Sequence, residues 1–293
     1  MPFVDAHTHT WGPNVAELPW LADDLPSGWE GAYTHADLLT DMDAYGVDEA
    51  VVVTPPLYGR GPRANEYTMR SIEAHPNRLW GVGLLDVFAD RETVRADVRR
   101  VTGHGRILGI RMHPALAYGT PPGPVDRTAN WIADDRLEPA WEAAAAADAI
   151  VFLLAKAPQL PAIDAIALEH PGVRIVVDHM AWPDEETAPD ERPWTAFEDL
   201  AERENVAVKV SSLPRSATDE WPYESLYPYV RRLVDWFGSD RLLLGSDYPW
   251  MDAWASYEEC LSWAEVAPFL SSRDYANLTH RTFRALCESV RTG

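Results

Sequence analysis

"AIVFLLAKAPQLPAIDAIALEHPGVRIVVDH", residues 149–179, is the stretch that decides the fold. It opens on an apolar run, Ala149–Lys156, and closes on a second, Arg174–His179, in which Ile175, Val176 and Val177 are consecutive. Between them "LPAIDAIALEHP" carries apolar residues at helical spacing and stops at a proline. Runs of Val, Ile and Leu without polar alternation suit strands buried on both faces, and such strands pair in parallel. The local unit is therefore strand, crossover helix, parallel strand.

The unit recurs in both directions. Phe3–His9, Ala50–Thr54, Leu79–Asp86 and Ile107–His113 precede it, and Val206–Ser212 and Arg241–Asp247 follow, for eight strands in all. Helical patterns separate them: "HADLLTDMDAYG" with a glycine stop at Gly46, "NEYTMRSIEAHP", "ADRETVRADVRRVTG", alanine-rich "LEPAWEAAAAAD", "ERPWTAFEDLAEREN" and "YESLYPYVRRLVDWFG". The tail "SRDYANLTHRTFRALCESV" predicts a closing helix or helix pair. This alternation predicts an α/β fold, a single-domain (β/α)8 TIM-type barrel over residues 1–293. A doubly wound open sheet is the alternative. No glycine-rich phosphate loop follows any strand, which counts against its nucleotide-binding form. The longer irregular stretches follow strand one (Thr10–Tyr33), strand four (Pro114–Arg136) and strand six (Ala181–Asp190). In a barrel, such stretches wall the mouth.

Composition narrows the partners. The formal net charge of −21 disfavours nucleic acid and anionic membrane surfaces, so a small-molecule substrate is expected. No apolar stretch approaches eighteen residues and no secretory signal pattern opens the chain, so a cytoplasmic protein is expected. Cys260 and Cys287 have no metal-binding spacing, and a reduced pair fits that compartment. Whether the chain forms a homo-oligomer is left open. Of 25 basic residues only Lys156 and Lys209 are lysine.

A barrel gathers the C-terminal ends of its strands into one mouth. Strand one brings Asp5, His7 and His9, strand four Arg111 and His113, and strand five Lys156. Strand six brings Asp178 and His179, strand seven Lys209, Ser211 and Ser212 with Arg215 just beyond, and strand eight Ser246 and Asp247. Each has a plain structural alternative: a lone histidine is more often satisfied in a core, and Arg111, Lys209 and Arg215 could simply pair with barrel carboxylates. Convergence argues for chemistry, because His7, His9, His179 and Asp247 arise on strands one, six and eight. Imidazole and carboxylate donors suit one divalent ion such as zinc or manganese. Such an ion lowers the pKa of water, Asp247 can take its proton, and His179 can polarise a carbonyl.

The motifs "DAHTH", "GIRMHP", "RIVVDHMAWP", "VKVSSLPR", "LLLGSDYPW" and "NLTHRTFRAL" together resemble the amidohydrolase superfamily along the whole chain. The match is nearest to its amidohydrolase-2 branch of pyrone-dicarboxylate and sugar lactonases and muconate-type decarboxylases. The resemblance implies a (β/α)8 barrel, His7 and His9 as metal ligands, His179 on the water or substrate carbonyl, and Asp247 as ligand and general base. It also implies that Arg111, Lys209 and Arg215 hold substrate carboxylates. Strand five departs from the pattern: Leu154 or Ala155 stands where metal-dependent members place a histidine. One ion on His7, His9, His179 and Asp247, or metal-free operation, is therefore expected. Lys156 is given no clear role by the resemblance. It is expected either to bind substrate, its ammonium standing in for a metal's charge near that vacant position, or to point out between strand and helix. The function expected is hydrolysis of a lactone or cyclic ester bearing carboxylate or hydroxyl groups. The alternatives are a metal-dependent, non-oxidative decarboxylase of an aromatic or muconate-type acid, and a barrel that binds without catalysing.

Overall fold

The computed structural model describes residues 2–21, 31–61, 63–114, 131–183 and 187–291. Its elements run β1 (Val4–Thr8), α1 (His35–Tyr45), β2 (Glu49–Val53), α2 (Glu66–Ala74), β3 (Leu79–Leu84), α3 (Arg91–Thr102), β4 (Ile107–Met112), α4 (Glu138–Ala146), β5 (Ile150–Leu153), α5 (Leu160–Glu169), β6 (Arg174–Val177), α6 (Ala196–Leu200), β7 (Val206–Ser211), α7 (Leu213–Ser216), α8 (Tyr227–Phe237), β8 (Leu242–Gly245), α9 (Tyr257–Val266), α10 (Ser272–Ala276) and α11 (Thr282–Arg291). The strands form one parallel sheet in sequence order. The sheet closes where Thr8 bridges Tyr248 and where the Asp247 N–H donates to the His7 carbonyl at 2.7 Å. This is the expected barrel.

Two sets of apolar side chains hold it together. Inside, Val4, Ala6, Val51, Trp80, Val82, Ile150, Phe152, Val176 and Leu243 pack on one another, and Phe283 of α11 joins them. Outside, the alternate strand residues meet the helices, as Val208 and Leu244 do with Leu233 and Leu261 among others. The alternation follows the two-residue period of a strand. Gly109 is required by close approach: a Cβ there would lie 1.8 Å from the Ile150 carbonyl oxygen.

Helix ends follow local chemistry. Gly46 ends α1 at φ 89°, its N–H donating to the Met42 carbonyl, as the glycine stop predicts. Helix α6 is shorter than "ERPWTAFEDLAEREN" suggests, spanning only Ala196–Leu200. The tail is a helix pair joined through a wide turn at Asn277–Arg281. Helix α9 has no counterpart among the expected elements. Its signal lies in "SYEE", where Ser256 and Glu259 cap each other reciprocally.

The strands end earlier than their apolar runs imply. His9, His113, Lys156, Asp178, His179, Ser212, Ser246 and Asp247 all lie past the last residue of their strands. Several adopt left-handed backbone: His179, Met180, Ala181 and Trp182 at φ 54–56°, Ser212 at 62° and Asp247 at 60°. Such turns break the pairing and re-aim the side chains, which a hydrophobicity pattern does not encode. Of the expected walls, residues 22–30 of Thr10–Tyr33, 115–130 of Pro114–Arg136 and 184–186 of Ala181–Asp190 lie outside the described residues. Among the described residues no helix is long and apolar enough to cross a membrane.

Candidate active site

Strand β1 carries an irregularity in register, with Asp5 opposite Ala50 but Thr8 opposite Val52. The extra residue separates the duties of its polar side chains. Asp5 accepts the His7 N–H at 3.0 Å, the Ser246 N–H at 2.9 Å, the Ser246 hydroxyl at 2.6 Å and the Tyr257 hydroxyl at 3.0 Å. It ties β1 to the residue before Asp247 and takes no place among the imidazoles. Gly245 lets the two strands meet there, since a Cβ would lie 2.7 Å from the His7 Cβ.

The imidazoles meet around Asp247. His9 Nε2 lies 3.2 Å from Asp247 Oδ1, His7 Nε2 lies 3.6 Å from the same oxygen, and His179 Nε2 lies 3.8 Å from Oδ2. The Nε2 atoms of His7 and His9 are 3.3 Å apart. His9 is oriented by the Val53 carbonyl, 2.7 Å from Nδ1, and His179 by the Ser211 hydroxyl, 2.9 Å from Nδ1. His7, His179 and Asp247 each offer a donor atom within 4.8 Å of the others, a set that fits a divalent ion, with His9 beside it.

Beneath this cluster lies a carboxylate, Asp178, to which the sequence reading gave no role. Arg111 Nε donates to its Oδ2 at 2.9 Å, Lys209 Nζ lies 3.2 Å from Oδ1 and His7 Nδ1 lies 3.4 Å from Oδ1. Its signal was present, because a carboxylate straight after the buried run "RIVV" must be paired. Arg111 also brings a guanidinium nitrogen to 3.4 Å from His179 Nε2. Arg111 and Lys209, expected to hold substrate carboxylates, are thus buried and paired with a barrel carboxylate. His113 is buried nearby.

Electrostatics sets the protonation. Burial opposes the charge on Asp247, but His179, His9 and His7 together outweigh it and hold the carboxyl well below its usual range. Asp178 is likewise held well below that range, with Lys209 and Arg111 overcoming its burial. Burial pulls His179 down to about 4, against the attraction of Asp247 and Asp178. Burial also lowers His7 and His9. At neutral pH the centre is therefore an ionised carboxylate among neutral imidazoles.

At the rim, Lys156, Trp182, Pro183 and Arg215 line a cleft of about 170 Å³ together with Ser216–Thr218. Arg215 stacks 3.6 Å over the Trp182 ring, whose centroid is 6.2 Å from that of His179. Lys156 is exposed there. The ammonium that reaches the histidines is that of Lys209, 3.2 Å from His7 Nδ1.

Three known proteins are similar to this chain. An L-fucono-1,5-lactonase from Burkholderia ambifaria is 37% identical over 270 residues, covering 89% of this chain and 86% of its own. A 4-sulfomuconolactone hydrolase from Rhizobium radiobacter is 25% identical, covering 84% of this chain and 75% of its own. The crystal structure of a Burkholderia multivorans amidohydrolase with bound zinc superposes with a TM-score of 0.78 at 22% identity, covering 98% of this chain and 99% of its own. Since the model of the family described as amidohydrolase also matches residues 4–288, nearly the whole barrel, the chain belongs to the amidohydrolase family.

Proposed function

We propose that the chain hydrolyses a lactone, a small cyclic ester bearing hydroxyl or carboxylate groups. The observation that carries this reading is the ionised Asp247 held among imidazoles that burial keeps neutral. A carboxylate in that state accepts a proton from water, and an imidazole N–H beside it stabilises a carbonyl oxygen as it becomes an oxyanion. The lactonase and lactone hydrolase among the relatives support the choice of substrate.

In this reaction a water oxygen bonds to the lactone carbonyl carbon while Asp247 takes the water proton. The His7 Nε2–H faces the developing oxyanion, and the Arg111 guanidinium beside His179 adds positive charge. The intermediate collapses by breaking the ring carbon–oxygen bond. The departing alkoxide then recovers the proton from Asp247, leaving a hydroxy acid. His7, His179 and Asp247 are the residues that would hold zinc or manganese, and such an ion, when bound, supplies positive charge beside the carbonyl. Arg215 and Lys156 at the rim are placed to contact substituents on the substrate.

A panel of neutral and anionic lactones, followed by acid release with and without chelator, tests the reading. Hydrolysis of at least one lactone is expected, with Asp247→Asn losing about 10²–10⁴-fold in kcat, the worth of a positioned general base. Release of CO₂ from aromatic or muconate-type acids, without lactone opening, would establish the decarboxylase instead. No turnover of either class would leave a binding barrel.

A further inference from the structure

The geometry points to Lys209 as the residue that sets the tautomer of His7. Its ammonium donates to Nδ1 and so places the imidazole proton on Nε2, where His7 is a hydrogen-bond donor that resists a divalent ion. This deepens the reading of the same site as a hydrolytic one.

His9 provides the first step. Its Nδ1 lies 2.7 Å from the Val53 carbonyl, which can only accept, so Nδ1 carries the proton and Nε2 a lone pair. That lone pair faces Asp247 Oδ1 at 3.2 Å and His7 Nε2 at 3.3 Å. Two of these three atoms are acceptors. A third would leave three lone pairs crowded together, whereas one proton on His7 Nε2 gives them a shared donor. At the opposite nitrogen, Nδ1, the Lys209 ammonium stands at 3.2 Å and Asp178 Oδ1 at 3.4 Å. The same ammonium lies 3.2 Å from Asp178 Oδ1 and 4.5 Å from the centre of the Phe152 ring, partners that suit a cation. An ammonium has donors and no acceptor, so Nδ1 beside it is best served as a lone pair.

The charges agree. Arg111 and Lys209 both face Asp178, two positive groups on one carboxylate. A divalent ion would add to the positive charge already beside His7. To ligate it, His7 must move its proton from Nε2 to Nδ1 and point that N–H at the ammonium. Lys209 is thus a positioning residue that weakens His7 as a metal ligand.

Two measurements test this, and neither depends on lactone turnover, so failure here leaves the lactonase reading standing and the converse also holds. Long-range ¹H–¹⁵N spectra of the whole wild-type protein in chelator should show His7 protonated at Nε2; protonation at Nδ1 overturns the proposal. In Lys209→Met the proton should move to Nδ1, toward Asp178, and zinc measured by calorimetry should bind about 10–100-fold more tightly, the scale on which a ligand's hydrogen-bond partner tunes affinity. Unchanged zinc affinity in a folded Lys209→Met protein overturns it. Should that variant not fold, the wild-type spectrum decides alone.

Discussion

Replacing Asp5 tests how the seam of the barrel supports the site. Asp5 is wholly buried, and each of its oxygens has a distinct pair of partners. One oxygen takes the His7 and Ser246 N–H groups, and the other takes the Ser246 and Tyr257 hydroxyls. In Asp5→Ala the two backbone donors cannot turn away, whereas the Ser246 hydroxyl can turn to the His7 carbonyl, 3.2 Å off. At about 1–3 kcal/mol for each stranded buried donor, the loss comes to about 4 kcal/mol. With an unfolding entropy of about 2.1 cal/mol/K per residue over 293 residues, Tm falls by about 6–7 °C. Asp5→Asn should behave differently. Its amide oxygen keeps both N–H groups and its NH₂ faces hydroxyls that can accept, which is also what the carboxyl offers when protonated. Burial already pushes Asp5 up to about 6 against the pull of those donors. Scanning calorimetry at pH 7 of the three proteins decides. An Ala variant melting within about 2 °C of wild type, or an Asn variant as weak as Ala, would refute the accounting.

Other outcomes follow from the same geometry. Gly245→Ala places a Cβ 2.7 Å from the His7 Cβ, so it should cost about 1–3 kcal/mol in chemical denaturation and lower kcat by moving His7. Gly109→Ala meets the Ile150 backbone at 1.8 Å, where nothing flexible can yield, and should lose more stability. Arg215→Ala and Lys156→Ala should raise KM for anionic lactones while leaving neutral ones within about threefold, because an exposed cation contributes about 0–1 kcal/mol; equal losses on both classes would remove them from substrate contact. In chelator, stability should fall as pH drops from about 6.5 to 4. The folded protein holds His7, His9 and His179 neutral while the unfolded chain protonates them, so acid favours unfolding; Asp5, raised by burial, works the other way and offsets part of the loss.

The barrel was legible because strands such as Ile150–Leu153 and Leu242–Gly245 are nearly pure apolar runs with helical patterns between them. The gathering of His7, His9, His179 and Asp247 followed from barrel topology alone. The two lysines show where that reasoning stops. Lys209 lies inside a paired strand, so the alternation of "VAVKVS" turns it inward toward Asp178 and His7. Lys156 lies three residues beyond the last residue of β5, where no alternation governs it, and it is at the rim. Asp178 escaped notice as a hub because its cations arrive from β4 and β7, a meeting that only the closed sheet creates.

The four left-handed residues after β6 carry one more consequence. Ala181 sits at φ 55°, a conformation that costs an L-residue about 1 kcal/mol or more and glycine almost nothing. A one-codon change to glycine would relieve that cost, and the chain does without it. The methyl group denies this turn the alternative backbone shapes that glycine would open. His179 therefore reaches Asp247 from a turn that is strained but has few other shapes to adopt.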